Sequence, residues 1–338
     1  MLQQLYQTQH AAKQFWQAFQ NDFAQLKTLS GQEFVEQGNE LLRQFLPEMT
    51  LEFVGNWDSG ATLVFTAQGI TEYFHQVQIL VDTQPQNLPF AVQAFRHALP
   101  NVERFEIGIG DWRLNVSDIL FHIDEWQEMP ALEIAFTQDF TEEQLSDAQN
   151  MTFIMLDHIL GEYNSAAKIG AVDFVETADD DFEPLFRLPE ALSALWAELG
   201  RTGVYPQEEW QYGVAQIEED EEHEQDALVL TRNQSANSLL GRADMAWVVS
   251  VSCQLRNGDD VETAYDLQDQ FNAYANLNQQ GIETLSVMNL SQGVRTVFAA
   301  TSTPEILFAQ AEKLCQQFAD LNAQTHCEYD PNWAHYRQ

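Results

Sequence analysis

Positive charge is scarce in this chain. Across 338 residues there are 15 Lys plus Arg against 52 Asp plus Glu, a formal net charge of -37. The 4 Lys and 11 Arg are scattered, so no basic stripe exists to hold nucleic acid phosphates, and direct DNA or RNA binding is disfavoured. The same excess repels anionic membranes and raises the encounter rate with basic proteins at low salt. Cysteine is scarcer still. Cys253, Cys315 and Cys327 lack Cys-x-x-Cys spacing and sit in apolar-patterned segments, so they read as buried thiols in a reducing compartment, not as a disulfide or a zinc site. No apolar run approaches the ~18 to 20 residues of a membrane span. Residues 1–20 have neither the basic region nor the apolar stretch of a secretory signal. The expectation is a cytoplasmic protein. On that expectation the Asn-x-Ser/Thr triplets at Asn115, Asn150, Asn233 and Asn289 are chance matches to a glycosylation signal.

The familiar catalytic motifs are missing as well. There is no Gly-x-Ser-x-Gly elbow, no Walker phosphate loop and no His-Glu-x-x-His. Gly108-Ile109-Gly110 starts like a dinucleotide fingerprint, but Arg113 occupies the place of the third glycine, so a bulge or turn between strands is expected. His122, Asp124 and Glu125 form one group of metal-ligating side chain types and Asp157-His158 another; neither makes a complete ligand set. The block Asp179 to Asp181 lacks the alternating ligands and turn glycine of a calcium loop. No cofactor, no metal and no catalytic residue is expected, and the chain reads as a binding protein, not an enzyme.

What the sequence does hold is core material: 45% hydrophobic and 12% aromatic residues, with 22 Phe and 8 Trp, enough for more than one core. The predicted fold class is α+β with two domains, 1–203 and 204–338, the boundary falling near Thr202 to Pro206. Two amphipathic helices open the chain, the first with Phe15, Phe19, Phe23 and Leu26 on one face. The second carries a capping box at Ser30 and Glu33. Sheet-forming sequence lies between Ala91 and Thr137, a long helix runs from about Glu142 to Leu160 with Leu145 in its apolar stripe, and a strand is expected at Ile169 to Val175. The run Glu218 to Asp226 holds seven carboxylates in nine residues and reads as an exposed hairpin loop or mobile segment. From Met245 onward the spacing predicts β-α-β-β-α-β, the ferredoxin-like order, with Thr303 and Pro304 starting its second helix.

The closing sequence is Tyr329-Asp330-Pro331-Asn332-Trp333-Ala334-His335-Tyr336, preceded by the helix EILFAQAEKLCQQFADLNA and the strand THCEYD. With the element order, these residues make about 245–336 similar to the regulator of ribonuclease E activity, type B, a family of small acidic bacterial inhibitors. Members end in Tyr-Asp-Gly-Trp-Gly-x-Tyr; here Pro331 and Asn332 stand where one Gly is expected and Ala334 replaces the second, so the turn is expected to differ. The rest of the chain resembles uncharacterised bacterial domains. The resemblance implies a ferredoxin-like module that occludes or remodels a basic partner such as a ribonuclease or another RNA-processing factor. Aromatics in acidic surroundings are the other interface marks: Trp57, Trp112, Trp126, Trp210 and Trp333. The candidate partner-binding residues are Tyr329, Asp330, Trp333 and Tyr336 with the acidic Glu218, Glu219, Asp220, Glu221 and Glu222. Two alternatives stay open, an immunity protein or nucleic-acid mimic, and a metal-dependent hydrolase around His122 and Asp124.

Overall fold

The computed structural model describes residues 2–110, 112–206, 212–217 and 228–337. The protein is mixed α+β and divides into two compact units, one of residues Gln3–Leu199 and one containing the residues from Gly200 on.

The first unit opens with α1 (Leu2–Leu26), which contains no Gly or Pro and buries Ala12, Phe15, Trp16, Phe19 and Leu26 along one stripe. Helix α2 (Gly31–Arg43) begins at the expected capping box, Ser30 with Glu33. Asn39 fixes this helix to β1 (Thr50–Asn56): its side-chain amide donates to Leu51 O at 2.7 Å and its Oδ1 accepts from Leu51 N at 2.8 Å. β1 pairs antiparallel with β2 (Gly60–Thr66), and β2 pairs parallel with β3 (Ala91–Ala94) after a crossover through α3 (Phe74–Asp82). Phe15, Trp16, Phe19 and Phe65 meet edge-on between helix and sheet, and the Trp16 indole donates to Leu80 O at 2.7 Å.

The chain then makes the hairpin β4 (Glu106–Ile109) and β5 (Trp112–Asn115), in which Gly108 lies opposite Arg113 and Gly110 takes a positive φ. The glycine pair is therefore a hairpin feature. A four-stranded sheet follows in the order β8-β7-β6-β9, built from β6 (Ile119–Trp126), β7 (Met129–Phe136), β8 (Ala171–Phe174) and the short β9 (Glu183–Pro184). One face of it, with Phe121, Leu132 and Ile134, packs on Met151, Met155 and Ile159 of α4 (Glu142–Leu160) and on Leu192 of α6 (Leu188–Glu198). Leu145, expected in the α4 stripe, is instead exposed, and Met151 takes the buried position.

Between α4 and α5 (Glu162–Lys168) lies the junction of the two sheets. The Glu162 carboxylate is fully buried; Oε1 accepts from the amides of Ala67 and Gly69, both at 3.0 Å, and Oε2 from that of Arg96 at 3.2 Å. Leu99 N and Glu162 N add bonds to His158 O and Arg96 O, so the segment after β3 is strapped onto the α4–α5 corner.

The second unit contains β10 (Tyr212–Ile217), β11 (Leu228–Asn233), β12 (Trp247–Gln254), α7 (Gly258–Ala275), β13 (Gly281–Asn289), β14 (Val294–Thr301), α8 (Pro304–Gln317) and β15 (Gln324–Tyr329). Its sheet runs β10-β11-β13-β14-β12-β15 with every neighbouring pair antiparallel. α8 starts with Pro304 in its first turn and buries Leu307, leaving Ile306 exposed. β12 is a central strand and buries both faces, not the single alternating face that its sequence suggests. Cys253 and Cys327 are buried, Cys315 is half-buried, and all three thiols are free. Burial pushes the Cys315 thiol up to about 11 and the Cys327 thiol up to about 12. Three of the four Asn-x-Ser/Thr asparagines, Asn115, Asn233 and Asn289, accept hydrogen bonds from the serine two residues on, so these triplets serve local turns. Among the described residues no helix is long and apolar enough to cross a membrane.

Truncating Glu162 leaves three converging amides without an acceptor. Glu162→Ala is expected to lower unfolding stability by roughly 3 to 5 kcal/mol in chemical denaturation, with α4 surface variants such as Leu145→Ala near neutral.

Candidate functional site

The residues singled out at the C-terminus turn inward. Trp333 is 0% and Tyr336 1% exposed, against the expectation that they meet a partner. The Trp333 indole donates to Met245 O at 2.9 Å, the Tyr336 hydroxyl donates to Asn233 O at 2.8 Å, and the Arg232 guanidinium lies 4.1 Å from the Tyr336 ring centroid. Tyr329 is half-buried, edge-on to Trp247, and donates to Ala243 O at 3.2 Å. His335 Nδ1 lies 3.3 Å from an Asp330 carboxylate oxygen and its Nε2 2.9 Å from the Thr284 hydroxyl. This Thr-His-Asp chain has the order of a hydrolytic triad, yet Thr284 is 0% exposed and its hydroxyl also lies 3.2 Å from Phe298 O. The contacts tie residues 330–335 to β13. The acidic candidates Glu218, Glu219, Asp220, Glu221 and Glu222, and Trp210, lie outside the described residues.

A second buried polar cluster was not legible from the sequence. β13 has a bulge between Glu283 and Leu285, which turns the Glu283 and Thr284 side chains to different neighbours and leaves both buried. Gln268 of α7 donates to Glu283 Oε1 at 2.6 Å and accepts from Arg295 Nε at 3.2 Å, so the amide bridges the two charges. Glu283 Oε2 has no hydrogen-bond partner among the described residues. Burial lifts the Glu283 carboxyl to about 7, and burial with the charges of Glu283 and Asp269 lifts the half-exposed Tyr212 phenol to about 12.

The accessible chemistry lies on the first unit's four-stranded sheet. Strand alternation puts Phe121, Ile123, Leu132, Ile134, Val172 and Phe174 toward the helices and the intervening residues on the opposite face. There His122, Glu133 and Asp173 stand directly opposite one another across β6, β7 and β8. In the next row Asp124 faces Ala131, which faces Ala171, two small side chains that leave a hollow. The result is a groove of about 320 Å³ whose lining residues include His122, Asp124, Glu125, Trp126, Glu133 and Asp173 and no Lys or Arg. Asp181, exposed, approaches His122 Nδ1 at 3.2 Å, with the Phe182 ring 5.8 Å from the imidazole. Like charges directly opposite in a sheet, as Glu133 and Asp173 are, cost stability. Trp126 is 54% exposed at the rim; of the five tryptophans marked in the sequence, Trp57 and Trp112 are half-buried in aromatic clusters and Trp333 is in the core.

Behind β8 a larger cavity of about 550 Å³ opens between that strand and α4, with Phe153, Ile154, Ile169 and Val172 on its apolar side and Asp157 and Ser165 on its polar side. Burial raises the Asp157 carboxyl above its ordinary range, against the hydrogen bond from Ser165. Among the described residues no group of three or more His, Cys, Asp or Glu is placed to hold a metal ion, and His122 with Asp124 does not become one. No protein family's profile matches the chain, and neither the curated proteins nor the solved structures contain a significant match.

Two consequences are measurable. Trp333→Ala is expected to destabilise the protein by roughly 3 to 5 kcal/mol, as a core truncation does, read as a fall in thermal midpoint. For Glu283, folding raises the carboxyl pKa, so the folded state holds the proton between about 4.5 and about 7. Its contribution to stability is full below the lower value and is lost as pH rises through the upper one. The stability difference between Glu283→Gln and the parent is expected to shift by roughly 3 kcal/mol in the variant's favour between about pH 4 and about pH 8, measured by urea denaturation at each pH.

Proposed function

We propose that this protein is a binding protein that regulates or inhibits a basic partner, docking it on the acidic face formed by β6, β7 and β8. The observation that carries the reading is the uncompensated row of Glu133 and Asp173 with Asp124 and Glu125 beside the exposed Trp126. Cationic side chains of a partner would neutralise that row, and an arginine among them would find the Trp126 ring for stacking. A carboxylate pair that costs the isolated fold stability gains a purpose when a cation lies between its members.

The C-terminal unit supports the same reading from a second direction. The strand order β13-β14-β12-β15, all antiparallel, with α7 and α8 as its crossovers, fits a ferredoxin-like domain extended by β10 and β11. Taken with the closing Tyr-Asp and Trp residues, it favours a relative of the ribonuclease E regulators, and a ribonuclease or other RNA-processing factor as the partner. The free thiols accord with a cytoplasmic, reducing setting.

The test is a low-salt pull-down from cell lysate with the intact protein, repeated with Glu133→Lys combined with Asp173→Lys, and with the carboxylates of 218–226 neutralised. Charge reversal on the sheet is expected to weaken capture of the basic partner by about tenfold or more, and added salt to release it. Capture indifferent to the sheet variant and to salt would sink the assignment of the docking face. Loss only on neutralising 218–226 would move the site there.

A further inference from the structure

We infer that the partner is bound by strand addition: the free edge of β8 receives an extended segment whose side chains alternate between cationic and apolar. This rests on the acidic-face reading above and specifies what the face takes. β8 ends the sheet order and has β7 as its one neighbour among the described strands. Val175 N donates to Ile134 O, so backbone alternation turns the amides of Ala171 and Asp173 toward β7 and aims those of Val172 and Phe174 at the open edge. Sheet edges are usually blunted by lysine, proline or a bulge. The sequence Ala171-Val172-Asp173-Phe174 has neither lysine nor proline, and its pairing to β7 runs without a register shift.

The two sides of this edge differ in chemistry. On the open face the edge carries Asp173 with Glu133 behind it, while on the other side lies the 550 Å³ cavity with Phe153 and Ile154, which are 47% and 49% exposed. A strand added at the usual spacing of about 4.8 Å sends successive side chains to opposite sides. Alternate residues would meet the carboxylate row and the residues between them would enter the cavity, so complementarity requires a basic-apolar alternation. A second copy of this chain is a poor occupant, because pairing β8 with itself would bring two Asp173–Glu133 rows together on a protein of charge -37. The polar end of the cavity, Asp157 beside Ser165, offers a donor-seeking stop for a segment that reaches past the apolar residues.

The experiment uses the full chain and a capped peptide of alternating lysine and valine, followed by calorimetry and by amide hydrogen exchange. Three control peptides accompany it: one with its lysines and valines in separate blocks, and two N-methylated on either set of alternate amides, one set of which must face β8. The alternating peptide is expected to bind at low salt, to slow exchange at Val172 and Phe174, and to lose about tenfold or more in affinity in one of the methylated forms. Equal binding of all four peptides, or unchanged exchange at both amides, would overturn strand addition. If in that case binding still vanished in the Glu133→Lys, Asp173→Lys protein, the acidic-face reading would stand without it. Failure of every basic peptide to bind would remove both.

Discussion

The first unit depends on one buried carboxylate. Glu162 is out of water, and an ionised side chain there is tolerable only if its oxygens are fully engaged. The amides of Ala67, Gly69 and Arg96 meet that demand from two separate segments of the first sheet, which fixes that sheet against the α4–α5 corner. Close approach is secured by Gly161, whose φ is +82° and where a Cβ would sit 3.0 Å from Arg96 O and Ala98 N. The position of α5 in turn sets where β8 enters its sheet, so the edge, the cavity behind it and the acidic row in front of it all inherit their geometry from this contact.

Glu283 shows what happens when the same demand is half met. One oxygen has the Gln268 amide, the other has no partner among the described residues, and the Arg295 guanidinium is linked through that amide. The proton then becomes the cheaper partner, which is why this carboxyl titrates near neutrality. Elsewhere the scarce arginines are already committed: Arg96 to Glu52, Arg242 to Asp244, Arg256 to Asp260 and Arg187 to Glu190. The negative charge of the chain therefore reaches its surface largely uncompensated, and on the β6–β8 face it is concentrated by register.

Local signals were legible in the sequence where one interaction decides an element. The Ser30–Glu33 capping box, the Pro304 start of α8 and the length of α4 all follow from short-range chemistry. Burial faces were legible less often, because they depend on what packs opposite: Leu145 on α4 reads as core and is 38% exposed, while Met151 fills the contact. β11 was missed, since Leu228–Asn233 gains its place from pairing with β10 and β13 and not from its own pattern. The acidic face was invisible for a related reason. His122, Glu133 and Asp173 are far apart in sequence, and only the register of three strands makes them neighbours. The sequence does hold a trace of it, the alternation of His122 and Asp124 with Phe121 and Ile123, which reads as a half-exposed strand once its partners are known.

The closing motif shows how the same residue types serve a fold or an interface. The turn runs through Pro331 and Asn332, and Trp333 takes a φ of +47°, a conformation costing an ordinary residue about 1 kcal/mol. That cost is accepted because the turn delivers the indole into the core and lets Tyr336 and His335 close over β11 and β13 through Asn233 and Thr284. A partner using Trp333 as an anchor would first have to recover roughly 3 to 5 kcal/mol of lost burial, about the whole return of a strong hot spot. Exposed groups carry no such debt. Trp126, Phe153 and the carboxylates of β7 and β8 are exposed without rearrangement, which is why the proposed docking face is placed with them.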